Sequence, residues 1–231
     1  MKTIQGSTDV RWASGYRLLL PEGPAPASGF ALLLALHGFS LSGKLLQNRL
    51  RSLLPAPYAL LFPDGPFPVE VREAVPPRVG YSWYQYTGDQ QAFLTALDFG
   101  IAYLERLLEQ VAAEQPVDLS RVVLLGYSQG GYLASFMALR NRSRFAGLVT
   151  ISSRIKVEAL AAELPALRGF PILVLHGTAD EVVPLLPQQE SVRVLREFGA
   201  SVELLLHEGG HELRRDQVPR IDEFVRTALC D

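Results

Sequence analysis

The chain has 231 residues, of which 48% are hydrophobic and 20% charged, with a formal net charge of −2. That composition supplies a sizeable core, and acids and bases are mixed without a long basic run, which argues against nucleic acid or an anionic membrane as the main partner. Cys230 is the one cysteine, so there is neither a disulfide framework nor a thiolate metal cluster, and its thiol is expected to be exposed and idle.

The opening stretch, MKTIQGSTDVRW, lacks the apolar segment of a signal peptide, and no apolar run reaches membrane-span length. A cytoplasmic protein with no stable membrane insertion is expected. Gly15–Leu20 and Phe30–Leu36 read as strands separated by the turn-rich PEGPAPASG. Ser42–Leu54 reads as a helix and Tyr58–Phe62 as a strand. Asp64–Gln90 is proline-rich and lacks clear regular structure; loops of that length are usually functional or mobile. Gln91–Glu114 carries Phe93, Leu94, Leu97, Ile101, Leu104, Leu108 and Val111 at helical spacing. Arg121–Leu125, Gly147–Ile151 and Ile172–Leu175 are continuous apolar runs, as in strands buried on both faces. Helices are expected over Gln129–Arg140, Gln188–Phe198 and Glu212–Leu229, with a further strand over Ser201–Leu206. Arg140, Arg142 and Arg144 form a small basic cluster that suits a helix end. The alternation predicts one α/β domain over residues 1–231, with a mostly parallel sheet flanked by helices on both faces and no large lid. Ligands of such sheets sit beyond the carboxyl ends of the strands.

Those ends carry the chemistry. After Arg121–Leu125 comes GYSQGG, a G-x-S-x-G pattern between a strand and a helix, which makes Ser128 a candidate nucleophile. After Ile172–Leu175 comes HGTADEVVP, which offers Asp180 as the acid, with Glu181 as its rival. After Ser201–Leu206 comes HEGGHE. His207 and His211 fit the H-E-x-x-H zinc pattern, but that mechanism needs a helix. A strand followed by two glycines opposes one, each Gly costing a helix interior roughly 1 kcal/mol against Ala. No metal and no cofactor is therefore expected. His211 reads as the general base, Glu212 as an acid in the first turn of the last helix, and His207 as a rim or packing residue. His37 and His176, each preceding a glycine after a strand, read as structural histidines. Ser128, Asp180 and His211 follow the chain order nucleophile, acid, base.

HGTADEVVP, GYSQGG and the GGHE turn resemble the α/β-hydrolase superfamily, and within it the phospholipase/carboxylesterase family that includes the acyl-protein thioesterases. LALHGFSLSG is similar to that family's oxyanion loop and GYSWYQ to its Trp-aromatic segment. The likeness runs from about Phe30 onward. Phe39-Ser40-Leu41 departs from the family's usual continuation after the HG pair. The resemblance implies a serine esterase acting on esters, thioesters or lysophospholipids through an acyl-enzyme, and the lack of an insertion long enough for a large lid points to an open site for short- to medium-chain acyl esters. The backbone N–H groups of Phe39 and Gln129 would hold the oxyanion. Trp83, Tyr84 and Ser153 are the candidate substrate-binding residues. A non-catalytic binding protein on the same fold and a dienelactone-type hydrolase are the alternatives; Ser128 speaks against the latter, which usually has Cys. The oligomeric state is left open, a homodimer included.

Overall fold

In the computed structural model, which describes residues 13–230 together with Thr3 and Gly6, seven strands form one twisted sheet. The opening stretch discussed above lies mainly outside the described residues, as does the side chain of Cys230. In chain order the strands are β1 (Tyr16–Leu19), β2 (Phe30–Leu36), β3 (Ala59–Pro63), β6 (Val117–Tyr127), β7 (Gly147–Ile151), β8 (Pro171–Gly177) and β9 (Ser201–His207). Between β3 and β6 lies a separate hairpin, β4 (Phe67–Val71) with β5 (Arg78–Ser82). The helices are α1 (Gly43–Arg49), α2 (Gln90–Glu114), α3 (Gln129–Arg140), α4 (Leu185–Glu197) and α5 (Val218–Cys230). Sheet order is β1-β3-β2-β6-β7-β8-β9, parallel throughout except that β1 runs antiparallel to β3.

The apolar runs are continuous because both faces are covered. Along β2, Leu32, Leu34 and Leu36 face one core, shared with α2, α3 and α4. Ala31, Leu33 and Ala35 face the other, shared with α1 and α5. That is the period of two expected of a strand, with no solvent face left to be polar. Sheet order reverses around β2, whose parallel neighbours are β3 on one side and β6 on the other. The register pairs Leu36 with Gly126, so the turns leaving β2 and β6 emerge side by side at a topological switch point. Arg140 and Arg144 of the basic cluster are paired with Asp98 and Glu105 of α2.

Several boundaries depart from the sequence reading. Ser42 caps α1, accepting from the Leu45 N–H, and the helix stops at Arg49 before a 3₁₀ turn over Arg51–Leu53. β6 starts at Val117, four residues before the expected Arg121, because Asp118 and Ser120 interrupt its apolar pattern. α4 starts at Leu185, with Pro187 tolerated in its first turn. α5 begins at Val218 rather than Glu212, after a 3₁₀ turn over Arg215–Gln217. Glu212 is therefore not a first-turn helix acid. Pro219 carries the reason: inside a helix begun at Glu212 it would break the ladder, whereas in a first turn its missing N–H is harmless. Asp64–Gln90 is not structureless, since it holds the β4–β5 hairpin. The apolar residues of its two strands are exposed or half-buried and the buried positions are Gly80 and Ser82, so no apolar alternation marks them in the sequence.

His37, at the exit of β2, ties the first turn to this hairpin region. It is fully buried. Its Nε2 accepts from the Gly65 N–H at 3.0 Å, which leaves Nδ1–H to donate to the Gly38 carbonyl at 2.7 Å. The ring is thus neutral with one defined tautomer. Burial lowers its pKa from 6.5 to about 4, against the opposing pull of the Gly38 bond. Below pH 6.5 the unfolded chain takes up a proton that the folded chain refuses. The shift therefore removes stability as pH falls from 6.5 to 4, by about 3 kcal/mol. Urea unfolding across that range should show His37→Gln losing less stability on acidification than wild type. An identical pH dependence in the two proteins would contradict the assignment.

Candidate active site

Ser128 sits between β6 and α3 with φ 52° and ψ −118°, outside the regions that L-residues favour. The turn is possible because its neighbours lack side chains. A Cβ at Gly126 would come within 2.3 Å of the Gly130 carbonyl oxygen, and one at Gly130 within 2.4 Å of the Leu36 carbonyl oxygen. The Ser128 N–H continues the sheet ladder to Ile151 at 2.9 Å, while its side chain leaves the sheet.

His211 Nε2 lies 2.8 Å from Ser128 Oγ. Its Nδ1 lies 2.9 Å and 3.1 Å from the two Asp180 carboxylate oxygens. Asp180 Oδ1 also accepts from the N–H groups of Val182 at 3.0 Å and Val183 at 2.8 Å. Burial alone would raise the Asp180 pKa; the Val183 N–H, His211 and the Val182 N–H together outweigh it and hold the carboxyl below its ordinary value. An ionised carboxylate only accepts, so His211 Nδ1 carries the proton and Nε2 is free to accept from the Ser128 hydroxyl. Glu181 is exposed and takes no part in this chain of bonds.

Three loops meet here, and each is held by bonds the sequence reading did not foresee. The HEGGHE turn is not helical: β9 ends at His207, whose Nδ1 accepts from the Gly209 N–H at 3.0 Å. The two histidines of the zinc pattern thus face different neighbours. A Cβ on Gly177 would meet the carbonyl oxygens of Gly209 and Gly210 at 2.3 Å, so only glycine lets the His211 loop cross the end of β8. The Tyr127 hydroxyl donates to the His211 carbonyl at 2.9 Å, and the Ser152 hydroxyl to that of Glu212 at 3.2 Å. His176 is buried, and its Nε2–H donates to the Val183 carbonyl at 2.8 Å, bracing the loop that carries Asp180.

The turn after β2 passes close to Ser128. A Cβ on Gly38 would be 3.3 Å from that of Ser128. The N–H groups of Ser40 and Leu41 are engaged, with the carbonyls of Tyr81 at 3.0 Å and Gly38 at 3.2 Å. Arg78 donates to the Ser40 carbonyl at 2.8 Å, so the β5 strand fastens this turn. Phe39 is half exposed and borders the same cavity as Ser128 and Gln129. Gln129 opens α3, so its N–H has no acceptor within the helix. Its side chain is tied elsewhere: Oε1 accepts from the Trp83 N–H at 3.1 Å, and Nε2 donates to Ser82 Oγ and to the Tyr84 carbonyl, both at 3.0 Å.

The cavity in front of Ser128 has a volume of about 560 Å³ and is bordered by Tyr84, Tyr86, Phe93, Tyr132 and Val183 among others. Of the candidate substrate-binding residues, Tyr84 borders it. Trp83 does not: it is fully buried, its indole N–H donates to the His37 carbonyl at 2.7 Å, and its ring packs 4.7 Å from that imidazole. Ser153 is also buried, beneath Gly131, where a Cβ would come within 2.5 Å of its own. Both readings are corrected by burial: these side chains support the walls instead of forming them. Phe93 and Tyr132 were missed, although their helical phase could have placed them at the ends of α2 and α3 nearest the elbow.

A model of the family described as Phospholipase/Carboxylesterase matches residues 26–229. Acyl-protein thioesterase 1 of Gibberella zeae is 24% identical over 221 residues, covering 89% of this chain and 94% of that protein. Some relatives are matched over little more than half their length, as with acyl-protein thioesterase 1 of Neurospora crassa, 29% identical over 55% of this chain and 54% of its own. The crystal structure of esterase PE8 superposes with a TM-score of 0.76 at 22% identity, over 94% of this chain and 99% of that one, a likeness of fold. The matched family segment spans β2 to α5 and includes Ser128, Asp180 and His211, and the chain belongs to the phospholipase/carboxylesterase family of α/β hydrolases.

Proposed function

We propose that this chain is a serine carboxylester hydrolase working through an acyl-enzyme. One observation carries the reading: the unbroken chain of hydrogen bonds from Ser128 through His211 to Asp180, at 2.8 Å and 2.9 Å. His211 Nε2 takes the hydroxyl proton as Ser128 Oγ attacks the ester carbonyl, and the imidazolium so formed is stabilised by Asp180. The N–H groups of Phe39 and Gln129 receive the oxyanion, with the positive end of α3 beneath it. His211 then returns the proton to the departing alcohol or thiol. Water, deprotonated by the same nitrogen, releases the acid. No metal or other cofactor enters this scheme.

The substrates we assign are short- to medium-chain acyl esters. The support is a cavity of about 560 Å³ that stays open to solvent, within the size range of small-molecule sites. The names of the Gibberella zeae and Neurospora crassa relatives make acyl thioesters a second substrate class to test, beside lysophospholipids. A cytoplasmic setting fits a chain with one cysteine, which needs no oxidising compartment.

Ser128→Ala should lower kcat by about 10⁴-fold or more on a nitrophenyl ester, leaving the residual rate of binding and oxyanion contacts. Gln129→Ala keeps the backbone donor and should cost far less, with a raised KM from the loosened Tyr84 segment. Equal losses in steady-state kinetics would contradict the separate roles. Across nitrophenyl esters from acetate to palmitate, kcat/KM should peak at short or medium length. A continuing rise to palmitate would overturn the assigned substrate range.

A further inference from the structure

The cavity beside Ser128 carries a charge that the hydrolysis scheme does not use. Its lining includes two cations, Arg154 and Lys156, and no carboxylate. Both come from the turn that follows β7. The Lys156 amine lies 4.9 Å over the face of Phe93 and donates to Gln90 Oε1. Phe93 is in turn bracketed edge-on by Tyr84 at 5.3 Å, Tyr86 at 5.5 Å and Tyr132 at 6.5 Å. Arg154 Nη2 pairs with Glu158 at 3.0 Å on the exposed rim, but its Nε is buried without a hydrogen-bond partner among the described residues.

Lys156 loses water against the aromatic wall and is repelled by Arg154, whose charge Glu158 offsets in part. Burial pulls the Lys156 pKa below its ordinary value; Glu158 opposes the shift and Arg154 adds to it. Burial raises the Tyr84 and Tyr132 pKa values, so both phenols keep their protons and can donate. An aromatic wall with hydroxyl donors, a guanidinium and an ammonium is built to receive a carboxylate. A neutral hydrocarbon chain would leave the buried Arg154 Nε without an acceptor.

Resting on the esterase reading, we propose that the preferred substrate of Ser128 is an ester that also carries a carboxylate, which Arg154 and Lys156 select. The anion is the specificity element, and the scissile carbonyl lies between it and the turns carrying Phe39 and Gln129.

The test compares kcat/KM for an acidic and a neutral member of two substrate pairs. Mono-4-nitrophenyl adipate against 4-nitrophenyl hexanoate puts the carboxylate on the acyl side. 4-Carboxyphenyl hexanoate against its methyl ester puts it on the alcohol side. Each acidic-to-neutral ratio is measured in wild type, Lys156→Gln, Lys156→Arg and the Arg154→Gln/Lys156→Gln double variant, which cancels intrinsic reactivity. In at least one pair the ratio should fall about tenfold or more in the double variant, survive in Lys156→Arg, and shrink with added salt in wild type. A ratio unchanged by the double variant in both pairs overturns the inference. If neutral esters are still cleaved in a Ser128-dependent way, the esterase reading stands without it. If no ester is cleaved, the esterase reading falls and binding decides the inference. Monoethyl adipate should then raise the Tm of Ser128→Ala more than diethyl adipate does, and no such difference overturns it.

Discussion

At Ser128 the chain turns from β6 into α3 through a backbone conformation that costs an L-residue about 1–3 kcal/mol. Everything at the sheet edge is arranged around that turn. The missing side chains of Gly126 and Gly130 let β6, α3 and the end of β2 approach to distances that any Cβ would forbid. Ser40 and Ser152, on neighbouring turns, also have positive φ, at 60° and 45°. Strain at three serines on turns at one edge of the sheet is tolerated because the surrounding sheet and core fix the chain on either side. The result is a hydroxyl held above the sheet, at the start of a helix, with no freedom to retreat into it.

A fixed hydroxyl is useful only if the other groups are equally fixed. The His211 loop is pinned by the Tyr127 and Ser152 hydroxyls and by its passage over Gly177. The Asp180 loop is pinned by its own bonds to Val182 and Val183 and by His176. The turn after β2 is pinned by His37, Trp83 and Arg78. Gln129 joins the elbow to the aromatic wall through the Trp83 N–H and the Tyr84 carbonyl. For the proposed reaction the effect of these fasteners is preorganisation, which removes reorganisation cost from the chemical step.

Much of this was legible in the sequence. The apolar runs of β2, β7 and β8 needed no correction in kind, because strands buried on both faces leave no ambiguity about exposure. Ser128, Asp180 and His211 could be singled out because each follows its own strand, and parallel strands carry their carboxyl ends to one edge, where the three side chains meet. What could not be read was direction. Trp83 and Tyr84 are adjacent in a segment whose phase the sequence does not fix, and one turned inward beneath His37 while the other faced the cavity. The β4–β5 hairpin escaped because the positions it buries are Gly80 and Ser82, so no apolar face marks it. The late start of α5 was readable after all, from Pro219, had the position been weighed against the apolar spacing.

The central claim is that one hydroxyl, activated by one imidazole, is the reacting group. Mass spectrometry of the protein treated with a fluorophosphonate tests it most directly. The account predicts a single adduct on the tryptic peptide containing Ser128, absent in Ser128→Ala and formed far more slowly in His211→Ala. An adduct on another residue, or labelling at Ser128 that is indifferent to loss of His211, would contradict it.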